Sequence, residues 1–541
     1  MTRRIKLSTL LASCCAIGVI ALALASSNSK ASPSTSSASG SALTVAVDTA
    51  AAGLDPYLDS SQDANNTEES VYDTLAKEGQ TTTPSGLVVP TYSQAAIRPW
   101  LAQSWSLTNH DRTLTVHLRK GVMSHAGNEL TAADLQYTWN RAWATNGEGT
   151  FDIQSVLHIP KPSWRVVNTF TWQVTLPQPN HLILDLLWDE KFGVVFDAVE
   201  AKKHATGADP WSTTWLSTHE AGFGPYEVES YQPGNEVVLR RFAKYWGSKP
   251  YFTTVVLKEV PDAANRLALV ASGAVDVAEN LPPNLEASVK GNPAVHTWSY
   301  AGDVVDTLMF NVATAPYNNP KFRQALSYAT PSTQIRKAVF FGEGSPLYSP
   351  APSTVPDYAP GYWHYTYNPR KAKSLLSAVG LPKGFTMAIN YDSGDPAQTG
   401  LATQLQTAYE AVGIGVKLVG EPPATYQDRL NKSQFGVWVN TYFPIVPDVG
   451  YFFSWAFECK SVINSSHYCN NAFDAAITAG VRSSNAAQIK ADYMAAQRIY
   501  VDDAAAVMLA EPGWQLLTVP TIRGVSFNPA LGPYWAQFQR K

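Results

Sequence analysis

Charge is scarce in this chain: 16% of its 541 residues are Asp, Glu, Lys or Arg, well under the ~25% of an ordinary globular protein. That deficit excludes a charge-rich disordered chain and a polybasic nucleic-acid binder. Cysteine is scarcer still, at four residues, too few to staple so long a chain into a disulfide framework. Gly (34) and Pro (36) stand near average abundance, which excludes collagen-like and low-complexity architectures. No repeat of 20–50 residues is visible, so solenoids and propellers are set aside. Catalytic signatures are missing too. There is no H-E-x-x-H, no pair of histidines four apart among the ten, and no G-x-S-x-G elbow. Scattered carboxylates leave an exported hydrolase as the rival of another class. What is present is 45% hydrophobic residues, enough for a large core spread over about two to four domains.

The first residues have the pattern of an export leader. Arg3, Arg4 and Lys6 form a positive start, an apolar and small-residue stretch runs to Ala25, and Ala23-Leu24-Ala25 offers an A-x-A cleavage site. The stretch is shorter and more diluted by Ala and Ser than a spanning helix requires, so residues 1–25 are assigned as a signal peptide. Leu11-Ala12-Ser13-Cys14 spells a lipoprotein-like box but sits early, with the apolar run continuing past it; it leaves lipid anchoring open as the alternative. The expected location is the periplasm or the outer face of the cytoplasmic membrane. Losing three positive and no negative charges takes the formal charge from −4 to −7, a field with nothing to offer a nucleic acid. Residues 26–41 are Ser-rich and are expected to be a flexible tether.

Cys14 and Cys15 fall in the leader, leaving Cys459 and Cys469. An oxidising compartment favours a bridge between them, with two buried thiols as the alternative. One nearby histidine, His467, is too little for a structural zinc site. No metal or other cofactor is expected.

Alternating apolar and polar residues predict strands at 43–47, 114–118, 171–176 and 387–391. A hairpin is expected at 226–231 and 236–241 around Pro233-Gly234. Helical spacing with end signals predicts helices from Thr131, at 320–329, at 369–379 ending on Gly380, at 396–412 ending on Gly413, and at 485–504. Strands and helices alternating over the C-terminal half argue for an α/β layer with a largely parallel sheet. Mixed antiparallel segments before residue 250 argue for a second, different unit.

Several stretches carry a family pattern. They are Leu101-Ala102-Gln103-Ser104-Trp105, Thr113 to Gly121-Val122, and His125 with Gly127 and Leu130-Thr131-Ala132-Ala133-Asp134. Gly222-Phe223-Gly224-Pro225-Tyr226, Pro261 to Arg266, and Arg323 to Ala329 follow in the same order. Together they resemble the extracytoplasmic solute-binding proteins of ABC importers, family 5, the dipeptide-, oligopeptide- and nickel-binding type. Ser124 and Ala126 stand where that family usually has Phe and Asp. Read as structure, Ser104-Trp105 and Tyr245-Trp246 are core packing, the Gly222 and Gly224 pair is a tight backbone passage, and Arg119 with Asp134 is a candidate ion pair.

The resemblance implies an α/β, two-lobed periplasmic-binding-protein-like (type II) fold with a small extra α+β domain on the N-terminal lobe. The expected partition is lobe I at 42–75, 209–300 and 508–541, the extra domain at 76–208, and lobe II at 301–507. It implies no enzyme activity but reversible capture of a small solute, an oligopeptide or dipeptide, between lobes that close by hinge motion. Delivery would be to membrane permease subunits of an ABC importer, by a monomer. The same fold with an oligosaccharide or a metal chelate as cargo is the alternative.

In peptide-binding relatives an Asp near a W-x-x-D-like strand end pairs with the ligand ammonium. The matching segment here is Trp438-Val439-Asn440-Thr441-Tyr442-Phe443, with Asn440 or Thr441 at the Asp position and Asp448 as the nearest carboxylate. The candidate ligand residues are therefore Trp438, Asn440, Thr441, Tyr442, Phe443 and Asp448. Eight aromatics stand between 438 and 457; Trp438, Tyr442 and Phe443 are shared between cleft and core, and the other five are expected in the core beside Cys459.

Overall fold

The computed structural model describes residues 42–541, apart from 59–61, 146, 190, 303, 462 and 529–531. The leader and tether assigned to 1–25 and 26–41 lie outside the described residues. Three sheets organise the rest. The first has seven strands in the order Tyr226–Gln232, Glu236–Arg241, Thr254–Glu259, Ala42–Val47, Val277–Ala278, Gly513–Thr518, His296–Ala301. The alternating Val, Leu and Ala of the N-terminal strand bury their side chains as Ala42–Val47 runs parallel to Thr254–Glu259 and Val277–Ala278. The expected hairpin forms. Gly234 at φ 71° follows Pro233, and the Gln232 carbonyl accepts from Asn235 N at 3.0 Å, a turn that favours Pro then Gly.

The second sheet has the order Gly415–Glu421, Thr386–Asp392, Val437–Tyr442, Val305–Phe310, Ala506–Ala510. The largely parallel arrangement expected here is corrected: Thr386–Asp392 is parallel to both its neighbours, but Val305–Phe310 is antiparallel to both of its own. The reason is topological. Val305–Phe310 brings the chain in from the first sheet and Ala506–Ala510 takes it back, so the two must run in opposite directions. The crossings touch: a Cβ on Gly302 would lie 2.5 Å from the Pro512 carbonyl oxygen. Helices Pro320–Ala329 and Pro369–Val379 stand where the spacing placed them, the latter closed by Gly380 at φ 69°.

The third sheet is a four-stranded antiparallel meander, Ala102–Thr108, Thr113–Leu118, Thr171–Thr175, Trp164–Asn168. Helix Ala132–Thr145 packs on it through Trp139, whose ring meets Trp172 at 4.6 Å. Asp134 closes the start of that helix, accepting from Thr131 N at 2.7 Å and also from Ala198 N at 2.8 Å. Arg119 turns elsewhere, donating to the Trp100 carbonyl and lying 5.0 Å over the Trp246 ring. The proposed Arg119–Asp134 pair is thus replaced by two separate roles, because the helix cap already uses the carboxylate. Ser104 is exposed and Trp105 only partly covered, whereas Tyr245 is buried and donates to Asp73 at 3.1 Å. A Cβ on Gly222 would sit 2.1 Å from the Val71 carbonyl oxygen, which explains a residue without one. Cys459 and Cys469 form the expected disulfide.

Helix Gln62–Val71 was not foreseen. Its residues are polar, yet Asn65 through Ser70 are buried. Polar partners make this burial tolerable: Asn66 donates to Glu279 at 2.8 Å, and Glu68 meets Lys191 at 2.7 Å.

Candidate functional site

Strand Val437–Tyr442 ends at a cavity of about 660 Å³ whose walls come from both halves of the fold. Tyr57, Leu58, Asn65, Phe151 and Lys191 form one wall; Gln427, Asn431, Asn440 to Phe443, Trp455 and Ile463 form the other. Residues alternate along a strand, but the strand end twists into the loop, so four consecutive positions, Asn440, Thr441, Tyr442 and Phe443, all reach the cavity.

Each of these side chains is held by something behind it. Asn440 is 3% exposed, and its side-chain Oδ1 accepts from the Trp438 indole N–H at 3.1 Å. The Thr441 hydroxyl donates to Asp306 at 2.8 Å and accepts from Gln398 at 3.3 Å. Asp306, near the start of strand Val305–Phe310, is 2% exposed, and burial, then the neighbouring Asp395, push its carboxyl up to about 8. Near neutral pH it is therefore a protonated acid rather than an anion. Tyr442 packs edge-on against Phe452, Trp455 and Phe457, with centroids at 5.7–5.8 Å. On the opposite wall Lys191 is spent on Glu68, both buried.

Among the described lining residues there is one cation, already paired, and no carboxylate. Among the described residues the lining is electrically neutral, rich in amides, hydroxyls and aromatic faces. Its rim carries Leu58, Phe443 and Ile463, each at least 41% exposed, an apolar surface drawn from both walls.

The remaining sequence candidates lie elsewhere. Trp438 is 0% exposed and stands beneath the wall, not in it. Asp448 is absent from this cavity. It caps helix Val449–Ala456 through Gly450 N at 2.7 Å and faces His181 at 3.3 Å, lining a second cavity of about 560 Å³. Trp455, expected in the core, reaches the chamber instead. Tyr57, Phe151 and Lys191 escaped sequence reasoning altogether. For Lys191 a signal existed: it is a lone cation in the mainly apolar run from Leu182 to Phe196.

Residues 96–464 match the family described as "Bacterial extracellular solute-binding proteins, family 5 Middle". The "Dipeptide-binding protein" of Escherichia coli K12 is 27% identical over 435 residues, 76% of this chain and 80% of that one. "Heme-binding protein A" of Haemophilus influenzae is 26% identical over 455 residues, 80% of this chain and 82% of its own. The Helicobacter pylori periplasmic binding protein DppA, solved with the peptide STSA, superposes with a TM-score of 0.79 at 22% identity, over 92% of this chain and 98% of that one. With the family pattern matched across the middle two-thirds of the chain, the protein belongs to the bacterial extracellular solute-binding proteins of family 5.

Proposed function

We propose that the protein captures a short peptide in the 660 Å³ chamber and delivers it to the permease of an ABC importer without making or breaking a covalent bond. The observation that carries this reading is the chamber itself, of a size suited to a small ligand and furnished from both lobes. Contacts to both walls exist only when the lobes are together, so a ligand that makes them draws the population toward closure. The amide NH2 of Asn440 and the carbonyl of Gln427 suit a peptide backbone, while Tyr442, Phe443 and Trp455 suit apolar side chains. Trp438 is a positioning residue acting through Asn440. In this reading residues 76–208 form an extra domain on lobe I, the leader directs export, and the protein works as a monomer.

The neutral lining favours cargo without a net charge at the clamped end, since an unpaired buried ammonium is costly. That same feature supports a second reading, a neutral oligosaccharide stacked on the aromatics. Thermal denaturation with ligand panels separates them. A peptide at 100 times its dissociation constant stabilises by about 2.7 kcal/mol; peptides that leave the melting temperature unmoved while oligosaccharides raise it would replace the first reading with the second. Turnover of a chromogenic ester or glycoside would overturn both.

A further inference from the structure

The second cavity, about 560 Å³, shares no lining residue with the first. At its wall His181 and Asp185 lie one helical turn apart, a spacing that puts both side chains on one face. Asp448, at the start of helix Val449–Ala456, lines the same cavity. One ring nitrogen of His181 and one oxygen from each carboxylate all lie within 4.8 Å of one another.

Existing hydrogen bonds do not use this trio up. The His181 side chain is 9% exposed, and its Nε2 has only two long contacts, Asp448 Oδ2 and the Tyr493 hydroxyl, each at 3.3 Å. Among the described residues its Nδ1 has no hydrogen-bond partner. Asp448 commits Oδ1 to the helix cap and turns Oδ2 to the imidazole. Asp185 accepts from Gln94 at 2.5 Å through Oδ2. Nε2 is the nitrogen turned to Asp448, and contacts as long as 3.3 Å are weak ones that a bound cation can replace. The wider cavity also presents Glu78 and Asp357 against a single Lys490, so its charge favours a cation.

We propose that His181, Asp185 and Asp448 bind a divalent cation of the Zn2+ class, bridging the two lobes. One imidazole and two carboxylates form a common three-ligand set for such a metal, with the cavity supplying water as the fourth ligand. Ligand atoms around a tetrahedral Zn2+ stand about 3.4 Å apart, so the trio closes on the ion by small side-chain rotations. Because two ligands come from before residue 300 and one from after it, the full set exists only with the lobes together. The cation therefore binds the closed state better and shifts the population toward it. The inference is independent of which solute fills the first chamber.

The test is calorimetric titration of the untagged, chelator-stripped exported chain with ZnCl2 alone, alongside small-angle scattering. One saturable equivalent is expected in the parent, weakened at least tenfold in Asp448→Asn and in His181→Ala, with a radius of gyration that falls on Zn2+ addition in the parent only. Asn at 448 can still cap its helix, so that variant carries the test if His181→Ala does not fold. No saturable binding, equal affinity in the variants, a preference for Ca2+ over Zn2+, or an unchanged scattering profile would each overturn the proposal.

Discussion

Replacing Trp438 by Ala distinguishes a side chain that lines the chamber from one that supports it. Its indole is 0% exposed within the core beneath the Val437–Tyr442 strand, with the Phe435 ring 6.2 Å away. Truncating a buried Trp costs about 3–5 kcal/mol, from lost apolar burial plus the cavity left behind. The Asn440 side-chain Oδ1 also loses its donor, adding about 1 kcal/mol. We expect urea unfolding followed by far-UV circular dichroism to show a loss of about 4–6 kcal/mol with an unchanged m-value. A companion, Trp438→Phe, keeps most of the apolar bulk and deletes only the N–H. Here the stability loss should shrink to about 1–2 kcal/mol. Solute affinity should fall roughly fivefold, because the Asn440 amide is no longer held in one orientation. A Trp438→Ala protein within about 1 kcal/mol of the parent that had lost solute binding would refute this reasoning and put the indole in direct contact with ligand.

Other outcomes follow from the same geometry. Asp306 holds its proton in the fold to about pH 8 against 3.8 as the ordinary value. Its contribution is complete below pH 4 and is lost as pH rises through 8, so Asp306→Asn should flatten that decline by up to a few kcal/mol in pH-dependent denaturation; an unchanged slope would refute it. Opening the Cys459–Cys469 bridge, which spans ten positions, should cost about 2–3 kcal/mol in thermal unfolding under reducing conditions. Gly224→Ala would bring a Cβ within 2.5 Å of the Val71 backbone, and denaturant titration should show a loss of about 1–3 kcal/mol from the forced backbone shift.

Local signals made much of this protein legible from its residues. Pro369–Val379 could be delimited because Asn368 caps its start and Gly380 supplies a left-handed end, signals carried by neighbours in sequence. The hairpin around Pro233-Gly234 and the Cys459–Cys469 pair were legible for the same reason, and the ordered motifs from Leu101 to Ala329 identified the family. The segment 438–443 was found by sequence as well, but which of its side chains meet the chamber was not. Only the tertiary structure decided that Trp438 lies under the wall while Asn440 and Thr441 form it, since that depends on how a strand end twists against distant helices. The buried polar helix Gln62–Val71 reads as surface until Glu279 and Lys191 arrive from more than a hundred residues away. His181 and Asp448 stand 267 positions apart, and no spacing rule links them; packing of the two lobes does, because burial and charge are properties of the assembled surface rather than of the chain.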